Sequence, residues 1–356
     1  MVVEEFLAQS RSWIMTRRQN GVVVSSRVRL ARNLDGAAFP GWCGKQERTR
    51  LHERLRDVLC QLPELSAPVC LSMADLSPID KEILKERYLI SQELVAKDAG
   101  SGVVISEPEH VAVMINEEDH LRMQAMRPGL DLQAAWKSLR ALDEALEQRV
   151  AFAFSPRFGY LTACPSNVGT GLRASVMVHL PGLRLMNEVD QVMKGLTRMG
   201  LAVRGAFGEG TDAYGNMYQI SNQMTLGRDE ETMIASLEDI IAYLVKQEEQ
   251  ARARLLEDRR IHVLDHCARA VGILRYACIL SSGEAMDILS GLRFGVELGM
   301  IQGASVSRLN EVMLLSQPGH LQKQAHAALE PDTRDRMRAE MVREKLKGVA
   351  LVRQES

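Results

Sequence analysis

The stretch CPSNVGTGLRAS, residues 164–175, decides between the possible folds of this chain. Its glycines and alanine form the spacing G-x-G-x-x-A, which is typical of a dinucleotide-binding turn. Cys164, at the start of the stretch, is a candidate nucleophile, and Arg173, inside it, is a candidate phosphate ligand. The stretch alone is therefore compatible with a Rossmann loop, a thiol enzyme or another kind of phosphate-binding loop.

The residues that follow these glycines argue against the Rossmann interpretation. A dinucleotide-binding turn leads from a strand into a well-formed helix. Here the continuation contains Val176 and Val178 and then Pro181, a pattern that favours a strand. We therefore expect a different architecture around the turn.

Mixed strand and helix patterns occupy the first two-thirds of the chain. Helical spacing of apolar residues predicts helices near 51–62, 132–146 and 189–196, and after Asp229. Beyond about residue 250 only helical patterns remain. The order predicts an α+β domain over residues 1–250 and an all-helical domain over 251–356. The predicted strands are GVVVSS (21–26), SGVVIS (101–106), HVAVMIN (110–116), AFAFS, GYLTAC and ASVMVHL up to residue 180, and NMYQISNQMTL (216–226).

Bulk composition excludes several classes of protein. The chain has 356 residues and a formal net charge of −2, so no global basic field favours nucleic acid or anionic lipid. The first residues lack the pattern of a secretory signal, and no apolar run reaches the ~20 residues of a membrane span. The six cysteines, none in a C-x-x-C pair, predict free thiols and a cytoplasmic location. His262 and His266 lack further ligands at metal spacing, so no metal site is predicted.

Arginines cluster beside the predicted strands and turns. Arg27 and Arg29 are two apart on one strand and should point to one face. Arg122, Arg173 and Arg204 follow or open other such segments. Because the planar guanidinium fork binds phosphate oxygens through two hydrogen bonds, five such arginines could line a polyanion site. Solvated arginines at strand ends remain the alternative.

Carboxylates form a second group of candidates. Glu117, Glu118 and Asp119 lie together directly after a predicted strand. Glu209 lies in the glycine-flanked segment GEGTDAYG, where backbone can approach a ligand. An acidic surface turn is the commoner outcome for such clusters and stays open.

Four ordered blocks resemble the phosphagen (guanidino) kinases: SSRVRLARN, NEEDHLR, CPSNVGTGLRASV and RGAFGEGT followed by YQISNQ. The likeness covers roughly residues 21–250 and is greater to the bacterial protein-arginine kinases. The first arginine block begins at residue 25, which leaves no room for the small helical domain of creatine and arginine kinases, and an extra helical region follows. The resemblance implies a mainly antiparallel, glutamine-synthetase-like sheet flanked by helices.

The resemblance also implies roles for individual residues. Glu118 and Glu209 match the pair that grips the acceptor guanidinium, with Glu118 as the principal base and Cys164 as a positioning thiol. ATP with Mg²⁺ would be the phosphoryl donor. Met177 stands where small-guanidine kinases have a histidine that contacts adenine. The implied nucleotide site comprises Ser25, Ser26, Arg27, Val28, Arg29, Arg87, Arg122, Arg173, Ala174, Ser175, Val176, Arg204, Gly205, Ala206, Phe207 and Gly208.

The tail segment PDTRDRMRAEM, residues 331–341, predicts a helix capped by Asp332 or Thr333. Arg334 and Arg338 are four apart and share a face near its positive end, which suits an anion. Capping plus an exposed charged helix is the alternative. Arg334, Asp335 and Arg338 resemble the phosphoarginine-binding motif of protein-arginine kinases, which implies allosteric activation by the product.

The resemblance implies a kinase that phosphorylates arginine in proteins during a stress response. It also implies a zinc-binding activator protein and a Clp-type ATPase and protease as partners. A kinase of free arginine or another small guanidine, and a phosphoarginine-reading adaptor, are the competing interpretations. A homodimer is left open, and no direct nucleic-acid or membrane contact is expected.

Overall fold

The computed structural model describes residues 21–107, 109–205 and 213–352. Four residues expected in the nucleotide and acceptor sites lie outside the described residues: Ala206, Phe207, Gly208 and Glu209. The strands are β1 Val23–Arg32, β2 Val69–Ser72, β3 Gly102–Ile105, β4 Val111–Ile115, β5 Leu121–Pro128, β6 Phe154–Ser155, β7 Gly159–Tyr160, β8 Leu172–His179, β9 Leu201–Gly205, β10 Met217–Asn222, β11 Ile301–Gln302 and β12 Ala350–Leu351.

Helices lie between these strands along the chain and after them. They are α1 Lys45–Leu59, α2 Pro78–Glu86, α3 Gln92–Val95, α4 Leu132–Glu147, α5 Pro181–Leu185, α6 Val189–Arg198, α7 Glu230–Asp258, α8 Arg260–Tyr276, α9 Ser282–Glu297, α10 Val306–Leu315, α11 Pro318–Gln324 and α12 Pro331–Lys345.

The main sheet has the strand order β2-β3-β4-β5-β1-β8-β10-β9 in the described part of the chain. The pairs β2/β3, β3/β4, β4/β5 and β5/β1 are antiparallel, with Ala31 opposite Arg122 and Arg29 opposite Gln124. This confirms the predicted mainly antiparallel α+β fold and excludes the parallel sheet that a Rossmann turn requires.

The chain forms two compact units. Among the described residues, the first comprises Ser25–Ser175 and Ser221–Glu238, and the second comprises residues 21–24, 176–220 and 239–352. Helix α7 continues from one into the other. The domain boundary that the sequence predicts near residue 250 stays a prediction.

Local sequence explains the helices of the first unit. Helix α4 begins at Asp131, whose side chain accepts a hydrogen bond from Ala134 N. Its buried residues include Leu132, Ala135 and Leu139, the spacing of one helical face. That face therefore packs toward the core, and contacts between α4 and strand β5 are extensive.

Strand β5 was not predicted from the sequence. Its residues LRMQAMRP contain no β-branched side chain, so local propensity is weak. The strand exists because β1 and β4 pair with its two edges. It matters because it begins directly after the acidic cluster and carries Arg122.

The region beyond residue 250 is helical as predicted, with one addition. Strands β11 and β12 form a two-residue antiparallel ladder, Ile301 opposite Leu351. The helix predicted at 331–341 is α12, but its N-cap is Glu330 with Pro331 in the first turn, so the expectation of a cap at Asp332 or Thr333 was wrong. Proline's fixed φ suits the first helical position.

The cysteines also differ from expectation. Cys60 and Cys70 are joined by a disulfide, so the expectation of six free thiols was wrong for this pair. Cys43, Cys164, Cys267 and Cys278 are free. The pair was not predictable, because the two cysteines are ten positions apart and only the pairing of β2 in the sheet fixes where Cys70 lies.

Candidate active site

The turn between β4 and β5 places three neighbouring acids in three different environments. Glu117 is fully buried, and Arg122 donates to its Oε1 at 2.5 Å. Ser91 also hydrogen-bonds the same oxygen. Burial disfavours the charged carboxylate, but Arg122 and these hydrogen bonds outweigh it, so the pKa of Glu117 is lowered. Glu117 is thus an ionised anchor for Arg122.

Asp119 ties the turn to the segment that precedes Cys164. Its Oδ1 accepts from Asn33 Nδ2 and from Ala163 N, both at 2.6 Å. The side chain is buried. Asp119 therefore holds the first block, the acidic turn and the cysteine segment together, a role that the sequence did not reveal.

Glu118 is the exposed member of the three. Partial burial raises the pKa of its carboxyl, and the neighbouring charge of Glu117 adds to the effect, against a smaller opposing influence from Arg122. A carboxylate with a raised pKa accepts a proton more readily than an ordinary one. Glu118 thus has the exposure and basicity that a proton acceptor needs.

Glu118 and Cys164 open into one pocket of about 840 Å³. The Cys164 Sγ lies 3.0 Å from Ser166 Oγ, where either atom can donate. The pocket combines acidic side chains with an apolar wall, which suits a group that is cationic at one end and aliphatic along its stem. Its lining is Ala37, Ala38, Phe39, Gly41, Trp42, Lys97, Glu117, Glu118, Ala163, Cys164 and Pro165.

Four of the five expected phosphate-binding arginines act on one another electrostatically. Arg27 and Arg29 are half-buried on alternate residues of β1, which confirms that they share a face. Burial lowers the pKa of Arg27 to about 10, and the positive charges of Arg122 and Arg173 act in the same direction. For Arg29 burial again comes first, followed by Arg27, Arg122 and Arg173, and its pKa is lowered well below the usual range.

Positive charge is concentrated in this arginine cluster. Arg122 is paired with Glu117, whereas the buried Nε of Arg29 has no hydrogen-bond partner among the described residues. Arg27 Nε donates to Ser175 Oγ at 3.4 Å, and Arg173 Nη2 donates to Ser221 Oγ at 3.3 Å. Crowded, half-buried guanidinium groups form the complement of a polyphosphate.

The other residues expected in the nucleotide site on β1 and β8 lie on both faces of these strands. Ser26 and Val28 point opposite to the arginines of β1, and Ala174 and Val176 point opposite to Arg173 on β8. Ser26 Oγ donates to Gly129 O, and Ala174 N donates to Asn222 Oδ1. The side chains on the arginine face are those of Ser25 and Ser175.

Arg87 and Arg204 lie in other surroundings. Arg87 forms a buried ion pair with Glu109 at 2.7 Å. Arg204 is exposed on β9, next to Gly205, and lines a cleft of about 650 Å³ in the second unit with Arg184, Lys194 and Arg198. The adenine contact expected for Arg87 and the phosphate contact expected for Arg204 stay predictions.

The tail motif is more deeply built in than a solvated helix. Arg338 is buried, its Nε donates to Ser316 O at 2.8 Å and its Nη1 donates to Leu280 O at 2.7 Å. Arg338 also hydrogen-bonds Asp335. Arg334 is half-buried and donates to Leu329 O. Arg334 and Asp335 therefore retain more accessible surface for a ligand than Arg338 does.

Residues 50–251 match the model of the ATP:guanido phosphotransferase C-terminal catalytic domain. The chain belongs to the ATP:guanido phosphotransferase family. Residues 260–356 match a model described as the C-terminal domain of the protein-arginine kinase McsB. The resemblance to the protein-arginine kinases is thereby confirmed, and the chemistry of the family is phosphoryl transfer between ATP and a guanidino nitrogen.

Curated relatives and solved structures agree with this membership. The protein-arginine kinase of Symbiobacterium thermophilum is 44% identical over 342 residues, 95% of this chain and 97% of the relative. That of Bacillus subtilis is 40% identical, covering 97% and 96%. A structure of lombricine kinase matches with a TM-score of 0.58 and 28% identity over 67% of this chain and 70% of that one. A taurocyamine kinase of Schistosoma mansoni, 24% identical with a TM-score of 0.57 over 75% of this chain and 42% of that one, shares the fold.

The raised pKa of Glu118 predicts where this phosphotransferase loses activity in acid. Because the carboxylate must be ionised to accept a proton, the acid limb of kcat/KM should lie above the ordinary carboxyl pKa of 4.5. Glu93, an exposed acid, raises the pKa of Glu118. Glu93→Gln should therefore move the acid limb to lower pH, as pH–rate profiles would measure. An unmoved limb in that variant would assign it to another group.

Proposed function

We propose that the protein is an ATP-dependent protein-arginine kinase, which transfers the γ-phosphoryl group of ATP to arginine side chains of proteins. The observation that carries the proposal is the position of Arg122. It belongs to the arginine cluster, is anchored by Glu117, and acts electrostatically on Glu118. The candidate phosphate-binding cluster and the candidate proton acceptor thus lie within one unit.

The chemistry follows from these neighbours. A protonated guanidinium is a poor nucleophile because its pKa exceeds ~12. Glu118 would hold it by charge and accept its proton as the nitrogen bonds to the γ-phosphorus and the bond from that phosphorus to the bridging oxygen breaks. ADP leaves with the electron pair. The arginine cluster neutralises the charge on the phosphates, and positioning supplies most of the acceleration.

Glu209 and Cys164 have supporting parts in the proposal. Glu209 would share the grip on the guanidinium, as the family resemblance implies. Cys164, which lines the pocket of Glu118, would help to position the acceptor. Arg87, Arg204 and the small residues of β1 and β8 named above would complete the nucleotide site.

ATP fits the arginine cluster, since crowded, half-buried guanidinium groups repel one another and a polyanion would relieve that repulsion. Mg²⁺ is held in such enzymes by phosphates and at most one or two carboxylates. Within the described ranges, no group of three or more His, Cys, Asp or Glu side chains could hold a metal alone. Bound Mg²⁺ would supply further charge neutralisation at the phosphates.

A polypeptide acceptor is favoured over a small guanidine by the full-length relatives, which are named protein-arginine kinases. The test is incubation with Mg-ATP and either a denatured protein or free arginine. We expect acid-labile phosphate on arginine residues of the protein, detected by mass spectrometry at neutral pH. Phosphorylation of free arginine alone would establish the small-guanidine alternative, and no transfer to either would favour the adaptor.

Allosteric activation by phosphoarginine is part of the proposal and has a physical route within the second unit. Leu280, just before α9, accepts from Arg338 and donates to Asp335 O. Further along α9, Asp287 accepts from Gly215 N at 2.8 Å, and Ser290 accepts from Asn216 Nδ2 at 3.0 Å. Helix α9 therefore joins the tail motif to the segment that follows Glu209 in sequence.

Arg334→Ala is expected to weaken activation by free phosphoarginine about tenfold or more in the concentration required, because a charge-assisted contact to the phosphate is lost. Kinase assays titrated with phosphoarginine would measure this. Arg336→Ala, on an exposed residue of the same helix, is the matched control. Equal activation of both variants would remove Arg334 from the site.

Arg338→Ala is a poorer test because it should also destabilise the fold. It leaves the buried carbonyls of Ser316 and Leu280 unsatisfied, at about 1–3 kcal/mol each. Urea unfolding of the second unit should show this loss, while Arg334→Ala should unfold near the wild-type midpoint.

Cellular setting completes the proposal. A cytoplasmic stress-response role, marking of proteins for a Clp-type ATPase and protease, a zinc-binding activator and a homodimer all follow from the family resemblance. No helix of the described residues is long and apolar enough to cross a membrane. Co-purification of the tagged protein from stressed cells would test the partners.

A further inference from the structure

An aromatic side chain stands uncovered at the acceptor pocket. Trp42 lines the same pocket as Glu118 and Cys164, yet 92% of its surface is exposed, the largest fraction among the large apolar residues that the structure describes. Tryptophan is seldom left in water, because burying its ring is strongly favourable and its N–H can still find a partner. An exposed tryptophan at the rim of a binding pocket is typical of a contact surface.

The segment that presents Trp42 is held in place. The backbone N–H groups of Trp42 and Cys43 both donate to Phe39 O, at 2.8 and 3.0 Å. These two bonds close a tight turn at the pocket's edge. The indole is therefore displayed by a defined backbone, so little ordering entropy opposes its binding to a ligand.

The turn is fastened to the hairpin that carries Glu118. The ring of Phe39 packs edge-on against His120, with centroids 6.2 Å apart. His120 Nδ1 accepts from Leu34 N at 3.2 Å, so its Nε2–H donates to Ala38 O at 3.1 Å. Because His120 follows Glu118 by two residues, the apolar wall and the acid are positioned by the same short stretch of chain.

The pocket is larger and more apolar than one guanidinium requires. Its volume of about 840 Å³ lies near the top of the range for sites of drug-sized ligands. Glu118 supplies charge complementary to a cation, and Phe39, Trp42 and Pro165 supply apolar surface. An arginine within a polypeptide offers both a cationic head and neighbouring backbone and side chains.

We infer that Trp42 selects polypeptide over free arginine, by packing against the residues that flank the acceptor arginine while Glu118 holds its guanidinium. The inference rests on the proposed function. It makes Trp42 a specificity-determining side chain without a part in proton or phosphoryl transfer, so its contribution should appear in KM for the polypeptide.

The experiment compares two acceptors on wild type, Trp42→Ala and Trp42→Phe. The acceptors are a reduced and carboxymethylated protein and the single residue N-acetylarginine N-methylamide. For Trp42→Ala we expect kcat/KM to fall about tenfold for the protein, through KM, and less than twofold for the single residue. Trp42→Phe should retain most of the wild-type value, because a ring remains.

Controls keep the outcomes distinct. Tyr243→Ala removes another exposed aromatic, 64% exposed on α7 in the second unit, and should change neither acceptor. An equal loss on both acceptors would show that Trp42 builds the pocket, and no loss on either would show that it touches no substrate. Each result overturns the inference.

A self-association surface is the remaining alternative for Trp42. Size-exclusion chromatography of wild type and Trp42→Ala would reveal it as a shift to a smaller species, which also overturns the inference. A wild-type protein that phosphorylates neither acceptor would instead defeat the proposed function.

Discussion

Glu118→Gln is expected to lower kcat by about 10²–10⁴-fold, the usual loss for a general base. The amide preserves the shape of the side chain but can neither accept the guanidinium proton nor attract the cation. KM for ATP should change little, because the neighbouring arginine cluster keeps its anchor at Glu117. Initial rates of phosphate incorporation into a denatured protein, at saturating ATP, would measure the loss.

The matched control is Glu64→Gln, an exposed acid of the same unit. It should retain wild-type turnover and the same thermal midpoint. Glu118 is itself exposed, so Glu118→Gln should also melt near wild type, and a loss of activity cannot then be ascribed to unfolding. Near-normal turnover in Glu118→Gln would transfer the role of base to another group.

Arg29→Met should reduce kcat/KM for ATP by about 10²–10³-fold, the cost of removing one preorganised donor to a developing or existing anionic charge. Arg29 is suited to this role because its buried Nε lacks a partner among the described residues, and its pKa is lowered well below the usual range by burial and by Arg27, Arg122 and Arg173. An anion would relieve this repulsion.

The same variant should melt at a higher temperature in the absence of nucleotide. Removing one of four crowded cations relieves charge repulsion and the desolvation cost of a buried charge. In a domain of this size, each kcal/mol gained in the free energy of unfolding raises the melting midpoint by about 2–4 °C. ATP should raise the wild-type midpoint but leave that of Arg29→Met almost unchanged. Differential scanning fluorimetry with and without ATP measures both effects.

Arg149→Met, on an exposed arginine of the first unit, is the control for these melting experiments. It should keep both the wild-type midpoint and the ATP-induced shift. A ligand-free Arg29→Met protein that melts below wild type would mean that Arg29 stabilises the fold, and the cluster would then not be a strained anion site.

Sequence patterns were sufficient where the signal is local. The alternation of β1 placed Arg27 and Arg29 on one face, and helical spacing located α4 and α12. These patterns failed where strand pairing in the sheet outweighs the local secondary-structure propensity of the residues. Strand β5 has weak β-propensity, and its two neighbours in the sheet create it. The bond between Cys60 and Cys70 likewise depends on where the sheet places β2.

The acidic turn shows the same division within the site. The sequence presents Glu117, Glu118 and Asp119 as three similar side chains. Family resemblance singles out Glu118, but the residues alone do not explain the choice. The structure distinguishes the three acids. Arg122 and Ser91 engage Glu117, Asn33 and Ala163 engage Asp119, and Glu118 alone of the three is exposed.

Through the family resemblance of its four ordered blocks, the sequence by itself determined the phosphotransferase chemistry and the mainly antiparallel α+β class. It also supplied the candidate arginines and acids, because residue types are read directly from the chain. The tertiary structure alone decided which of the three neighbouring acids is exposed, how four arginines come to repel one another, and that Trp42 lies at the edge of the pocket. The physical reason is that charge, burial and hydrogen bonding depend on neighbours brought close by packing, and such neighbours can be distant along the chain.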